Sequence, residues 1–257
     1  MAGKLLLILQ LCIVLTSWLT AIASASDTQV KGELIFEKSN TCVIFLHGLG
    51  RKSDSFNRIE SAFSDIGFRV HNKSYPSTLD TIQKLTTSHI STALAWCRSR
   101  TTPHIAFVTH SLGGILVRQF FQNQTISEKL RIVMLSPPNQ GSEVVDLLRD
   151  VWLFKNTMGP AGLQLGTDSE SVPFQLEQIG GEIGIITGYA SSDPWFSPFI
   201  PGPDDGKVSV ESAKLKEMKA FLVVPRGHTF IMQSPGVIKQ VLYFIQNGRF
   251  IEEDLQY

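Results

Sequence analysis

The stretch HIAFVTHSLGGILVRQF, His104 to Phe120, decides the fold because it joins two different patterns across a short turn. Its first five residues, His104 to Val108, form a continuous apolar run after the histidine, which is typical of a strand buried on both faces. From Gly114 to Gln122 the apolar residues recur at helical spacing. Ser111 lies between the two patterns. The stretch therefore predicts a buried strand that ends close to a serine and is followed directly by a helix.

Short apolar runs and longer amphipathic segments alternate along the rest of the chain. The other predicted strands are Cys42 to Leu46, Phe68 to Val70, Leu130 to Leu135, Glu182 to Thr187 and Phe221 to Val224. The other predicted helices are Phe56 to Ile66, Thr78 to Arg100 and Gly236 to Gln246. Crossovers of this length permit parallel pairing. We therefore predict one α/β domain over residues 26–257, with a mostly parallel central sheet, helices on both faces and a ligand site at the carboxyl ends of the strands.

Composition and motifs exclude several classes of function. The chain has 23 basic and 23 acidic side chains and no cluster of lysine and arginine, so it lacks the charge that nucleic-acid binding requires. It contains no HExxH, no paired CxxC and no calcium-loop motif. We therefore expect no nucleic-acid partner and no metal.

The first 25 residues differ in character from the predicted domain. Lys4 precedes an apolar run from Leu5 to Ala23, and AIA and ASA at residues 21–25 fit the small-x-small pattern of a cleavage site. This pattern predicts a signal peptide and an exported protein, periplasmic or secreted. The alternative is an uncleaved membrane anchor, because the run approaches the length that spans a bilayer.

Two cysteines, Cys42 and Cys97, remain outside this segment. In an oxidising compartment they can form one disulfide. Two buried thiols are the alternative, and sequence does not choose between them because it gives no distance between the two Cα atoms.

Ser111 is a candidate nucleophile because the surrounding VTHSLGG nearly matches the G-x-S-x-G motif. A serine that follows a strand and opens a helix has the context of a nucleophile elbow. Gly113 and Gly114 remove side chains where the helix and strand crowd together. Thr109 stands where the motif has glycine. We expect this threonine to repack the turn and to leave catalysis intact.

The segment HGLG, His47 to Gly50, follows the first central strand. In hydrolases with a nucleophile elbow, the oxyanion hole takes one backbone N–H from this loop and one from the residue after the nucleophile. These positions correspond to Leu49 and Leu112. We expect His47 to be an orienting or packed residue rather than a base.

His228 is the candidate base, because RGHT follows the last predicted strand and precedes the terminal helix. In the chain order of these hydrolases the acid lies between serine and histidine. The loop PDDGKV supplies Asp204 and Asp205 as the leading candidates for the acid, and Asp193 is a weaker one.

In this order, the segments HGLG, HSLGG, PPNQGS, PGPDDGKVSVESAKL and GHTFIM resemble the motifs of bacterial secreted lipases and esterases of the α/β-hydrolase superfamily. The resemblance runs from Val43 to Phe250. It implies an α/β-hydrolase fold and hydrolysis of carboxylic esters without a cofactor. It also implies Ser111 as nucleophile, His228 as base and, from the D-G-x-V spacing, Asp205 rather than Asp204 as acid. A thioesterase, an acyltransferase and a catalytically silent binding module share these motifs and remain alternatives.

Two segments are candidates for the substrate site, and the expected substrate is a small-molecule or lipid ester with transient contact to a lipid interface. Trp195, Phe196 and Phe199 crowd a proline-rich loop before Asp205, where they either wall the pocket or pack within the loop. Ser142 to Asn156 has one apolar face. We interpret it as a crossover helix packed on the sheet; the alternative is a cap that receives an acyl chain.

Overall fold

The structure is a computed structural model that describes residues 35–100, 102–125, 127–191 and 195–252. The predicted signal segment, residues 1–25, and the candidate acid Asp193 lie outside these ranges. Within them, no helix combines the length and the apolar character needed to cross a membrane.

Strands and helices alternate along the chain, as the apolar pattern predicts. The strands are β1 (Thr41–Leu46), β2 (Arg69–Asn72), β3 (His104–His110), β4 (Lys129–Leu135), β5 (Glu182–Gly188) and β6 (Ala220–Val224). The α-helices are α1 (Asn57–Ser64), α2 (Ile82–Leu85), α3 (Ser91–Arg98), α4 (Leu112–Phe121), α5 (Glu143–Leu148), α6 (Trp152–Leu163), α7 (Val172–Gln175) and α8 (Pro235–Asn247). A π-helical turn, Thr86–Ile90, joins α2 to α3, and short 3-10 helices span Lys38–Asn40, Ser53–Phe56, Ser197–Phe199 and His228–Gln233. The predicted strands are confirmed, with shifts of one or two residues at their ends.

The strands form a six-stranded sheet in the order β2-β1-β3-β4-β5-β6, and all neighbouring strands are parallel. The register places Ile44, Phe107, Ile132 and Ile183 in one row across four strands. All four side chains are fully buried in the same apolar core. Because side chains alternate between the two faces of a strand, the next row along the strands faces the opposite core.

Helices cover both faces of the sheet, and two clusters of buried apolar residues show which helices pack on each face. One cluster joins α2, α3 and α4 to the face that carries Ile44. The other joins α1 and α8 to the face that carries Phe45. Because both faces are covered, β1 is buried along its whole length, which is why CVIFL is apolar at every position.

The predicted helix Thr78 to Arg100 starts later in the structure. A turn with a hydrogen bond from the Leu79 amide to the Pro76 carbonyl (3.0 Å) precedes the helix. The helix then begins at Ile82, where Thr81 Oγ1 accepts a bond from the Lys84 amide as an N-cap. The apolar spacing alone does not mark this start, because the cap lies outside the apolar pattern.

Cys42 in β1 and Cys97 in α3 form a disulfide, with their Cα atoms 5.8 Å apart. Both residues are fully buried. The bond fixes the helical segment α2–α3 against the sheet, and it chooses between the two alternatives that the sequence leaves open.

We expect removal of this disulfide to lower the free energy of unfolding by about 4 kcal/mol, because the cross-link closes a loop of 55 residues and restricts the unfolded chain. Urea unfolding of the oxidised protein and of the Cys42→Ala/Cys97→Ala variant measures this difference. A thiol reductant should destabilise the wild type and leave the double variant unchanged. Equal unfolding of the oxidised and reduced wild type would contradict the prediction.

Candidate active site

Ser111 occupies the turn between β3 and α4 with φ 50° and ψ −118°. A residue other than glycine rarely adopts a positive φ, so the surrounding structure must hold this conformation. The Ser111 amide donates a hydrogen bond to the Leu135 carbonyl at the end of β4 (2.9 Å), and this bond helps to fix the conformation. Gly113 is required nearby, because a Cβ atom there would collide with the Leu46 carbonyl oxygen. The turn therefore has the geometry of a nucleophile elbow.

Thr109, the departure from the usual motif, is fully buried within β3. Its Oγ1 has no hydrogen-bond partner in the described part of the chain. This oxygen lies 3.4 Å from the position that a Cβ atom on Gly114 would occupy, so the threonine fills space between the strand and the start of α4. Its side chain therefore contributes to packing behind the elbow.

We expect Thr109→Gly to keep kcat/KM for an ester within about tenfold of the wild-type value, or about 1.4 kcal/mol in the barrier. The same change should lower the free energy of unfolding by roughly 1–3 kcal/mol, because it empties a buried site and places glycine in a strand. Kinetics and urea unfolding of one preparation separate the two effects. Thr109→Val, which keeps the shape, is the matched control; loss of activity in a folded Thr109→Gly variant would show a role beyond packing.

His228 begins the 3-10 helix that follows β6, and it is paired with Asp205. Its Nδ1 lies 2.8 Å from Asp205 Oδ2, and its backbone N–H donates to the Asp205 carbonyl (2.9 Å). A carboxylate only accepts, so Nδ1 carries the proton of this bond. In the neutral ring Nε2 is then unprotonated and has a lone pair for accepting a proton.

Asp205 is buried, and its second oxygen is also bound. Oδ1 accepts the backbone N–H groups of Lys207 (3.0 Å) and Val208 (2.9 Å). Burial alone would raise the pKa of this carboxyl, but the charge and hydrogen bond of His228 and the Val208 amide outweigh burial, and the pKa is lowered. The carboxylate is therefore ionised at neutral pH.

Asp204, the competing candidate, points elsewhere. Its Oδ1 accepts the Gly206 amide (2.7 Å) and the Ser197 hydroxyl (2.8 Å). These bonds hold the loop that presents Asp205. Of the two neighbouring aspartates, Asp205 pairs with the histidine and Asp204 supports the turn.

The two amides predicted for an oxyanion hole lie at the same end of the sheet. Leu112 is the first residue of α4, so its N–H has no partner within the helix. In the other loop, the Gly50 amide donates to Ser77 Oγ (2.9 Å) and the Arg51 amide to the Gly48 carbonyl (3.2 Å). No bond from the Leu49 amide is found within the described ranges. Both candidate donors are thus adjacent to the serine turn and available to a ligand.

His47 is packed, as predicted. Its ring stacks on Tyr75 with centroids 4.0 Å apart, and its Nε2 accepts the Tyr75 amide (3.1 Å). Burial lowers the pKa of this imidazole.

His110, which sequence reasoning did not single out, supports the backbone of His228. Its Nε2 lies 3.0 Å from the His228 carbonyl oxygen, which only accepts, so Nε2–H donates. Burial and then the charge of His228 hold the pKa of His110 well below its usual value. In the sequence, only the position of His110 directly before Ser111 indicates that it lies near the site.

Ser136 is a second residue that the sequence did not indicate. It follows β4 and has a positive φ of 48°. Its buried Oγ lies outside hydrogen-bond geometry with any described group, yet it is near enough to Asp205 to favour the ionised carboxylate.

Ser111 and His228 line one cavity of about 280 Å³. Its apolar wall comes mainly from the segment after β4, with Val144, Val145, Leu148, Phe154 and Met158 among the lining residues. The interpretation of Ser142 to Asn156 as a crossover helix packed on the sheet holds in part, because Val145 belongs to the core on the Ile44 face of the sheet and Phe154 packs against that core. The segment forms α5 and the start of α6 with a turn between them, and it borders the cavity as the cap alternative requires.

Of the three aromatic residues before Asp205, the structure brings Phe196 to the cavity lining. Trp195 and Phe199 lie at the surface, with 79% and 58% of their area exposed, and are absent from the described lining. The 3-10 helix Ser197–Phe199 begins directly after Phe196. The predicted aromatic wall is reduced to Phe196.

This arrangement provides the groups that acyl transfer needs: a serine on a strained turn, a histidine oriented by a carboxylate, and two backbone amides at one end of a sheet. Among the described residues, no group of three or more histidine, cysteine or acidic side chains is placed to hold a metal ion.

Comparison with solved structures shows the fold. The lipase BlEst2 from Bacillus licheniformis in its mature form superimposes with a TM-score of 0.67 at 17% identity, covering 82% of this chain and 94% of that chain. The metagenomic carboxyl esterase MGS0156 superimposes with a TM-score of 0.60 at 14% identity, covering 79% of this chain and 70% of that chain. Phospholipase PlaB from Legionella pneumophila superimposes with a TM-score of 0.55 at 19% identity, covering 68% of this chain and 45% of that chain. The chain therefore has the predicted α/β-hydrolase fold. No protein-family profile and no curated protein sequence matches it.

Proposed function

We propose that the protein is a serine hydrolase that cleaves carboxylic esters through an acyl-enzyme, with Ser111 as nucleophile, His228 as base and Asp205 as acid. One observation carries the proposal: His228, which is paired with Asp205, lines the same cavity as a serine held on a positive-φ turn. The names of the similar structures, which include a lipase, a carboxyl esterase and a phospholipase, support the same class of reaction.

In the first half of the reaction, His228 Nε2 takes the proton of the Ser111 hydroxyl as Oγ attacks the ester carbonyl. Asp205 holds the imidazole in the tautomer that leaves Nε2 free and stabilises the ring when it becomes charged. His228 then gives the proton to the departing alcohol. A water molecule repeats these steps to release the acid and restore Ser111.

The amides of Leu49 and Leu112 bind the oxyanion of each tetrahedral intermediate. The Leu112 amide opens α4, where the helix dipole favours negative charge. Loss of one such donor typically costs about 3 kcal/mol in the barrier.

The cavity supports an ester with an acyl chain of modest length. Its apolar wall from α5 and α6 suits hydrocarbon, and its volume of about 280 Å³ lies near the lower end of small-molecule sites. Next to this wall, Trp152 and Leu153 at the start of α6 expose 75% and 61% of their area. We propose that this exposed edge makes transient contact with a lipid interface.

We also propose that the protein is exported. The pattern of residues 1–25 supports a signal peptide, and the Cys42–Cys97 disulfide is of the kind that persists in oxidising compartments.

The test of the function combines a fluorophosphonate probe with a panel of p-nitrophenyl esters of increasing acyl length and matched thioesters. We expect labelling of the wild-type protein at Ser111, located by peptide mass spectrometry, and turnover that falls for chains too long for the cavity. Absence of both labelling and turnover in the folded protein would contradict the proposal and favour a binding module. Faster turnover of the thioesters would assign a thioesterase instead.

A further inference from the structure

Two cationic side chains, Arg51 and Lys207, line the cavity that contains Ser111 and His228. Arg51 is half-buried on the loop after β1, and Lys207 is exposed on the loop that carries Asp205. No aspartate or glutamate is found among the described residues of the lining. The site therefore combines an apolar wall with a basic rim, although the whole chain has no net charge.

Both cationic residues adjoin elements that hold His228, and the Lys207 carbonyl also accepts the Ser142 hydroxyl at the start of α5 (2.7 Å). The guanidinium carbon of Arg51 lies 5.7 Å from the ring centroid of Phe230, in the same 3-10 helix as His228. The backbone of Lys207 is fixed by its bond to Asp205 Oδ1, the carboxylate that binds His228.

The charges of Arg51 and Lys207 reach the catalytic end of the cavity. Burial and then the charge of His228 are the largest causes of the low pKa of His110, and Arg51 and Lys207 lower it further. Within the described ranges neither side chain forms an ion pair with a carboxylate. Their positive charge is therefore available to a ligand.

Building on the proposed ester hydrolysis, we infer that the preferred substrate carries an anionic group, a phosphate or a carboxylate, on its leaving alcohol. His228 must protonate the alcohol oxygen, so groups beside His228 face the alcohol rather than the acyl chain. The acyl chain is assigned to the apolar residues that α5 and α6 contribute to the lining. Arginine binds phosphate and carboxylate through two parallel hydrogen bonds, and lysine adds a point charge. Arg51 and Lys207 are thus assigned as specificity-determining residues.

Matched ester pairs test this inference. The phosphate pair is dibutyrylglycerol and dibutyrylglycerol phosphate; the carboxylate pair is p-nitrophenyl butyrate and its ring-carboxylated analogue. Each kcat/KM is divided by the rate of the same ester with hydroxide, which removes intrinsic reactivity. We expect the wild type to prefer the anionic member of at least one pair by about tenfold, the size that two partly exposed ion pairs provide. Dioleoylglycerol phosphate in vesicles, compared with the dissolved dibutyryl ester, distinguishes a lipid head group from a soluble phosphorylated alcohol.

The Arg51→Gln/Lys207→Gln variant should reduce this preference to about one. Lys38→Gln/Lys129→Gln removes the same charge at the opposite end of the sheet, before β1 and at the start of β4, and should retain the preference. Salt should weaken the wild-type preference, because it screens exposed charges.

Failure of this inference is distinguishable from failure of the proposed function. If the wild type hydrolyses both members of each pair at equal normalised rates, the anionic substrate is excluded. If the double variant keeps the preference, the assignment of Arg51 and Lys207 is overturned. In both cases ester hydrolysis stands. If neither member of any pair is hydrolysed and the fluorophosphonate does not label Ser111, both proposals are overturned.

Discussion

Replacement of Ser111 by alanine is expected to lower kcat for a p-nitrophenyl ester by about 10⁴-fold or more and to abolish fluorophosphonate labelling. In the proposed mechanism the acyl-enzyme forms on Ser111 Oγ, so the variant would keep only the help that the Leu49 and Leu112 amides give to an attacking water. The effect should appear in kcat and kcat/KM together, because the hydroxyl forms its bond to the substrate only as the reaction proceeds.

The fold should survive this change. Alanine is smaller than serine, and the bond from the residue 111 amide to the Leu135 carbonyl does not depend on the side chain. Ser64→Ala, on the exposed end of α1, is the matched control and should keep wild-type activity and labelling. Residual turnover near the wild-type level in folded Ser111→Ala would mean that another group is the nucleophile.

The second large effect is expected for Asp205→Asn, a loss of about 10⁴-fold in kcat. An asparagine amide can donate to His228 Nδ1, which would place the imidazole proton on Nε2 and leave the ring unable to act as base. His228 is buried, and its Nδ1 lies against residue 205. The ring therefore has few alternative acceptors for an Nδ1 proton, which the tautomer with an unprotonated Nε2 requires.

Asp204→Asn is the matched control, since it makes the same chemical change one residue away. Its Oδ1 can still accept the Gly206 amide and the Ser197 hydroxyl, so kcat should stay within about tenfold of the wild-type value. Thermal unfolding checks that both variants are folded. The assignment of the acid would be reversed if Asp204→Asn were inactive and Asp205→Asn fully active.

Most of the architecture could be predicted from the sequence. The run CVIFL and the stretch around Ser111 are local patterns, and local patterns determine whether a segment forms a buried strand or an amphipathic helix. Helix ends were less predictable. The start at Ile82 depends on a turn and a threonine cap, neither of which the apolar spacing records.

The walls of the cavity could not be predicted in the same way. The segment around Leu148 and Phe154 has a helical apolar pattern whether it packs on the sheet or borders a pocket. The proline-rich loop was equally ambiguous, because Phe196 and Trp195 are chemically similar neighbours and only the turn of the chain decides which one faces inward.

The sequence by itself determined the strand–serine–helix arrangement at residues 104–122, the alternation of strands and helices, and the chain order of the candidate groups. Residues close together in the chain carry that information. Only the tertiary structure decided that Asp205 rather than Asp204 meets His228, that Cys42 and Cys97 pair, and that Arg51 and Lys207 flank one cavity. These relations join residues far apart in sequence, and their distances follow from strand order and loop direction, which one-dimensional spacing does not contain.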